Sequence, residues 1–228
     1  MMKPEPYKFI SGNTWSQERY DQNKLLDGGI TEYKTNDAED QVKEVVSYCK
    51  NTRKAIDIGA RFGSFTMAFH KAGFEHVYTI EMLEKFMLPL SMNIDLSRST
   101  VYNFGAWYRT AWGHRAGKTL LSERGGDVRL HSVDDLEVDE IDVLKIDVDG
   151  PDRLVLEGSI NTVERCRPVI YIEFGWPQKQ WDKNLKEFDD IWKILRKKDL
   201  GYVRKMGQAE YSPEKDHYNL ILIPEENL

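Results

Sequence analysis

The residues of this chain best suited to chemistry are carboxylates at the ends of apolar runs. The run Ile141 to Ile146 delivers Asp147, then Asp149 and Gly150, and the run 167–174 carries Glu173 next to its end. Partial burial raises the proton affinity of such acids toward neutrality, and one of them can then take the proton of a hydroxyl as it attacks an electrophile. Asp147 is the candidate for the reacting centre, with Asp149 or Glu173 orienting the acceptor. A structural reading stands beside this one. Lys145 points to the same side of an extended strand as Asp147 and would pair with it, and Asp149 would cap the next helix. Clustered acids also suit magnesium or calcium, but no metal site is assigned. His131 is a second candidate base, although a lone histidine at a strand end is more often structural. Ser64 has no histidine and acid placed with it by any motif, so it is not read as a nucleophile.

A second group of residues is suited to holding a ligand. The stretch from Lys54 to Phe65 is an apolar run that stops at Asp57 and opens into a turn containing Gly59 and Gly63, which let the backbone bend and approach a ligand closely. A dinucleotide fingerprint needs glycine at the first, third and sixth turn positions, and here Arg61 and Ser64 occupy the last two. Glu81 ends the run His76 to Ile80, near the place where an acid that binds ribose ends the second strand of such sheets. Between Trp107 and Lys118, two tryptophans lie among arginines and a histidine. This loop offers stacking faces and charge to sugars, bases or phosphates; equally, it is a hairpin whose tryptophans cover a sheet edge.

The elements that position these residues follow from periodicity. Val42, Val45, Val46 and Cys49 recur at helical spacing between Asp37 and Asn51, as do Phe65, Ala68 and Phe69 after the glycine turn. A helix is expected over 83–95, kinked or started by Pro89. Residues 100–104 read as a third strand, 141–147 as a strand buried on both faces, 154–158 as a short helix and 167–174 as a fifth strand. Gly175 to Trp181 reads as a loop. Phe188, Ile191, Trp192 and Leu195 mark a late helix, and 202–205 and 218–223 are the last strands. Alternation of strands and amphipathic helices indicates an α/β parallel sheet, with ligands at the carboxyl ends of its strands.

Composition bounds the class. With 228 residues, one α/β domain with extensions is the default: residues 1–36 form an N-terminal extension, a lid or an irregular arm, with Ser16 capping a short helix, and 37–228 form the domain. A net charge of −6 argues against a broadly basic nucleic-acid surface. Cys49 and Cys166 are too few for a disulfide framework. The start lacks an apolar signal core and no apolar run is long enough to span a bilayer, so a reduced, cytoplasmic protein with no membrane partner is expected.

The succession Asp-Ile-Gly-Ala-Arg-Phe-Gly (57–63), Val-Asp-Asp-Leu (133–136), Leu-Lys-Ile-Asp-Val-Asp-Gly (144–150), Leu-Glu-Gly (156–158) and Arg-Pro-Val-Ile-Tyr-Ile-Glu (167–173) resembles the FkbM family of S-adenosylmethionine-dependent methyltransferases. The resemblance covers about residues 52–175. It implies a Rossmann-like class I methyltransferase fold, with a seven-stranded, mostly parallel sheet whose last strand is antiparallel and helices on both faces. It implies S-adenosyl-L-methionine as cofactor and methyl transfer to a hydroxyl of a small molecule or glycan. Asp57, Gly59, Ala60, Arg61 and Gly63 would hold the methionine end, Glu81 and Met82 the ribose side, and Gly105 and Ala106 the adenine. Arg61 stands where members often have asparagine and is read as a fork for the cofactor carboxylate; Asp149 stands where they usually have glutamate, which shortens its reach. Nucleic-acid methylation and cofactor binding without transfer are the alternatives. The Asn-Pro-Pro-Tyr-like tetrapeptide of base-amino methyltransferases is absent.

Overall fold

The computed structural model describes residues 3–8, 35–116, 119–122, 125–174, 189–196, 198–206 and 218–228. Its main sheet has seven strands, β1 (Lys54–Ile58), β2 (His76–Ile80), β3 (Ser99–Tyr102), β8 (Ile141–Ile146), β9 (Val169–Phe174), β10 (Tyr202–Met206) and β11 (Tyr218–Pro224). They run in the order β10-β11-β9-β8-β1-β2-β3, parallel except that β11 is antiparallel to both of its neighbours. This is the expected α/β fold with its one reversed strand.

Side chains alternate across the central strands and both faces are buried. On one face Ile56, Ile58, Leu144, Ile146, Ile170 and Ile172 pack under α4 (Asp152–Glu157), α5 (Ile160–Cys166) and α6 (189–196) through Val155, Leu156, Val163, Ile191 and Leu195. On the other, Ala55, Val77, Val143, Val169 and Tyr171 meet α1 (Thr35–Val46) and α2 (Ser64–Lys71) through Val42, Val45 and Phe69. A period of two with a helix layer on each side is what a continuous apolar strand requires.

The structure refines three readings. The helix expected over 83–95 begins as a 3-10 turn, Glu84–Phe86, and becomes α3 only at Met87–Asn93. Pro89 lies in its first turn, where a missing N–H breaks no intrahelical bond, so it belongs to the helix start and makes no kink. The third strand stops at Tyr102 because Asn103 turns away, its side-chain amide donating to the carbonyls of Glu81 (2.9 Å) and Met82 (3.1 Å). Residues 105–131 then build a second sheet, which the sequence reading had reduced to a loop or hairpin: β4 (Gly105–Ala106), β5 (Ala111–Ala116), β6 (Thr119–Ser122) and β7 (Val128–His131), in the order β4-β7-β5-β6. The two tryptophans have different tasks. Trp107 is buried with Val128 and Leu130, whereas Trp112 is 53% exposed beside Arg129.

Two contacts tie the periphery to the main sheet. The backbone N–H of Tyr7 donates to the carbonyl of Val101 (2.7 Å), which anchors Tyr7 at the β3 edge. Residues 9–34, which hold most of the expected lid, lie outside the described residues, as do Lys118, the loop 175–181 and Phe188. At the second sheet, Gly158 between α4 and α5 abuts Trp107 so closely that a β-carbon there would sit 2.1 Å from its carbonyl oxygen. Gly158→Ala should therefore push the second sheet off its seat and cost about 1–3 kcal/mol in urea unfolding, with Trp107 emission shifted to the red; an unchanged midpoint would mean that this joint is not under constraint.

Candidate functional site

β1 and β8 are neighbours in parallel register, Asp57 opposite Lys145 and Ile58 opposite Ile146. The chain leaves β1 toward β2 on one side, while β8 and β9 continue on the other, which opens a crevice beyond the strand ends. A cleft of about 690 Å³ occupies it, walled by the turns after β1, β2 and β8 and by the start of the second sheet.

Lys145 holds this edge together. Its side chain is only 2% exposed, yet its ammonium has four oxygen neighbours: it donates to the carbonyls of Ile58 (3.0 Å) and Gly59 (3.1 Å) and lies 3.1 Å from Asp57 Oδ1 and 3.6 Å from Asp147 Oδ2. Burial alone would lower its proton affinity, but Asp57, Asp147 and Glu173 outweigh burial and raise it, so Lys145 stays charged. The pairing expected with Asp147 is present, and a shorter one with Asp57 accompanies it.

Asp57 is wholly buried. Its Oδ2 accepts from Thr66 Oγ1 (2.8 Å) and its Oδ1 faces Lys145, so it shapes the turn from beneath the cleft floor and is not among the residues that line the cleft. Gly63 is also off the wall. It starts α2 at φ 88°, and a β-carbon there would strike Ile94 (2.6 Å) and Leu90 (2.8 Å), so it serves the packing of α2 on α3. Gly59 is on the wall at φ 77°, and a β-carbon there would lie 1.8 Å from the carbonyl oxygen of Asp147. Only glycine lets these two strand ends touch.

Glu81, Met82, Ala60, Arg61, Gly105 and Ala106 all line the cleft. The Glu81 carboxylate accepts from the backbone N–H groups of Arg61 (2.9 Å) and Leu83 (2.7 Å), and burial raises its proton affinity. Each of its oxygens retains a second lone pair for a ligand hydroxyl. Arg61 has a left-handed backbone, φ 51°, and its guanidinium lies near the rings of Phe62 (5.3 Å) and Phe86 (5.8 Å). Phe104, which the sequence reading passed over, adds an aromatic wall next to Gly105. An acid for a hydroxyl pair, a backbone turn without side-chain obstruction and an aromatic wall fit a cofactor made of an amino acid, a ribose and a base.

His131 packs behind Phe104, ring centroids 5.2 Å apart, and is 3% exposed. Arg129 Nε donates to its Nε2 (3.2 Å), which puts the ring proton on Nδ1, facing Thr110 Oγ1 (3.2 Å). Burial and Arg129 lower its proton affinity, so it is a neutral structural residue off the cleft. Of the three acids assigned to chemistry, Asp147 and Asp149 line the cleft. Glu173 stands behind Asp147 and hydrogen-bonds to it; burial first, then the charge of Asp147, push its pKa up to about 9. The capping role considered for Asp149 is not taken by any side chain, the helix after β8 having Pro151 as its N-cap; the bend before it is instead closed by Asp152, which the sequence reading missed. Its buried carboxylate accepts from the N–H groups of Val148 (2.9 Å) and Gly150 (3.0 Å), and burial raises its pKa to about 7. Asp149 occupies the intervening bend at φ 57°. An acid in the first turn of a helix just after a strand was the available signal. Among the described residues no group of three or more His, Cys, Asp or Glu is arranged to hold a metal ion.

Comparison with known proteins agrees with this geometry. The model of the methyltransferase FkbM domain matches residues 57–204. A methyltransferase FkbM structure from Methylobacillus flagellatus superposes with a TM-score of 0.55 at 20% identity, covering 75% of this chain and 43% of that one, so this chain spans less than half of that protein's length. An rRNA methylase from Streptococcus thermophilus superposes at 0.52 with 13% identity over 86% of this chain and 98% of its own. An S-adenosylmethionine-dependent methyltransferase from Leishmania major does so at 0.52 with 10% identity over 87% and 76%. These likenesses are of fold alone. No curated protein matches the sequence significantly. With the family model spanning well over half of the chain, the protein belongs to the FkbM family of methyltransferases, whose members take their methyl group from S-adenosylmethionine.

Proposed function

We propose that this domain transfers a methyl group from S-adenosylmethionine to a hydroxyl oxygen of a small molecule or glycan. The observation that carries this reading is the pair formed by Asp147 at the cleft wall and Glu173 behind it. When bound, the cofactor supplies a methyl group already activated on a sulfonium. A hydroxyl is a poor nucleophile at neutral pH, so the chain must supply a proton acceptor and hold the oxygen in line.

Asp147 is suited to accept that proton because its side chain is 37% exposed, on the wall of the cleft. Lys145, 3.6 Å away, limits its movement. Glu173 keeps its own proton and donates toward Asp147, which favours one orientation of the carboxylate. Asp149, in the same wall, orients the acceptor. Arg61 holds the cofactor carboxylate as a fork, and Glu81 holds the ribose hydroxyls. A nucleic-acid acceptor is the second reading, favoured by the exposed Trp112 beside Arg129 and opposed by the net charge of −6.

Three results are expected. Calorimetric titration with S-adenosylmethionine and S-adenosylhomocysteine should show binding that Glu81→Ala weakens about tenfold or more, the loss of charge-assisted hydrogen bonds; a folded wild type that binds neither would overturn the reading. In a screen of hydroxylated small molecules, saccharides and RNA read by S-adenosylhomocysteine release, Asp147→Asn should slow turnover of the accepted class by about 10²–10⁴-fold while cofactor affinity changes little. The third result concerns stability. The folded chain keeps the Glu173 proton between its ordinary pKa of 4.5 and about 9, whereas the unfolded chain releases it, so this group makes stability fall as pH rises through that window. Glu173→Gln removes the effect and should gain on the wild type in urea midpoint from pH 5 to pH 9. A constant gap would show that Glu173 titrates normally.

A further inference from the structure

The end of β3 is fastened to the end of β2 by a side chain. The backbone ladder between these strands runs to Ile80 opposite Tyr102, and the N–H of Glu81 adds a last bond to the carbonyl of Tyr102 (3.1 Å). Asn103 then leaves the strand, and its half-buried side chain continues the ladder: Nδ2 donates to the carbonyls of Glu81 (2.9 Å) and Met82 (3.1 Å). An amide nitrogen carries two protons, so each carbonyl receives its own, and a group that only accepts could not stand in that place.

Two stretches of cleft wall meet at this fastening. One is the turn after β2, where Glu81, Met82 and Leu83 line the cleft and the Glu81 carboxylate is aimed by the N–H groups of Arg61 and Leu83. The other is Phe104, Gly105 and Ala106, directly after Asn103 in the chain. They approach each other again one step further on, since a β-carbon at Gly105 would lie 3.3 Å from Met82 Sδ. Phe104 packs on Tyr102 and His131, ring centroids 5.9 and 5.2 Å away, so it is seated on β3 and β7, whereas Glu81 follows β2. Asn103 itself does not line the cleft. It acts through the two walls that it joins.

The separation of these walls matters for a nucleoside. Its ribose hydroxyls and its base are held at a fixed distance by the glycosidic bond, so an acid and an aromatic wall engage both only when their own spacing matches. A charge-assisted hydrogen bond weakens steeply once its length or angle leaves a narrow range. β3 ends the main sheet on this side, so the spacing depends on the inner fastening to β2.

We propose that Asn103 is the positioning residue for the adenosine half of the cofactor: by holding the carbonyls of Glu81 and Met82 it sets Glu81 against Phe104 and Gly105 at the spacing that ribose and base require. This rests on the methyltransferase reading above. The test is competition of adenosine, and of dideoxyadenosine lacking both ribose hydroxyls, against radiolabelled S-adenosylhomocysteine. The wild type should favour adenosine about tenfold or more, as expected for hydroxyls bonded to a carboxylate. Asn103→Asp, which turns an acceptor toward both carbonyls, should weaken S-adenosylhomocysteine about tenfold and bring the ratio of the two nucleosides close to one. Asn103→Gln keeps the paired donors and should retain part of both. If Asn103→Asp does not fold, Asn103→Ser, with one donor and no added charge, takes its place, with the same changes in smaller measure. A folded variant that binds more weakly but keeps the wild-type ratio overturns the proposal, because general loosening lowers both nucleosides alike. Unchanged S-adenosylhomocysteine affinity does so too, as does Asn103→Gln no better than Asn103→Asp. Each of these leaves the methyltransferase reading standing. A wild type that binds S-adenosylhomocysteine without telling the nucleosides apart overturns the proposal through Glu81. Failure of the wild type to bind S-adenosylhomocysteine at all overturns both.

Discussion

A single buried ammonium organises the ligand-binding edge of this protein. Lys145 lies at the centre of the sheet, where an unpaired charge would be prohibitive, and the chain answers it with two carboxylates and two backbone carbonyls from the end of β1. Removing one member of such a buried set typically costs about 3–5 kcal/mol because it strands the remaining charge. The geometry is therefore fixed from within: Asp57 holds Lys145, Lys145 holds the carbonyls of Ile58 and Gly59, and the turn that meets the ligand inherits their position. Gly59 completes the arrangement by letting the ends of β1 and β8 come into backbone contact.

The parts that were legible in the sequence are those whose signal is local. The strand, turn and helix around Asp57, the acid at Glu81, and the dense apolar run into Asp147 each announce themselves within ten residues, and the main sheet follows from their alternation. What escaped depends on distance or on competition between similar residues. Asp57 reads as a ligand contact because it ends a strand; only the register with β8, which places Lys145 opposite, shows it to be taken by a cation. Asp149 and Asp152 are both short acids after the same strand, and which one accepts the backbone N–H groups depends on the bend between them. The second sheet escaped because its strands are too short to show a period of two, β4 having two residues and β6 and β7 four each.

The two sheets divide the labour. The main sheet supplies the glycine turn, Glu81 and Asp147, whereas the second sheet supplies an aromatic and cationic surface whose root is pinned at Gly158 and whose far end reaches the cleft at Arg115. A change in the length or side chains of β5 and β6 alters one wall of the cleft and leaves the Lys145 centre untouched.

The position of β8 in the chain has a consequence for how the molecule is assembled. Its central contacts, Lys145 with the carbonyl of Ile58 among them, join residues 87 positions apart, because β2, β3, their helices and the second sheet all lie between the strands they link. Closing a loop of that length carries an entropic cost that local hairpins and helices do not, and contacts of long span slow the search for the native topology. β1, α2, β2 and the β5–β6 hairpin collect their contacts nearby, and the junction of β1 with β8 completes the sheet between them. The cleft comes into being with that junction, so a newly made chain acquires the cleft only when β1 and β8 have met.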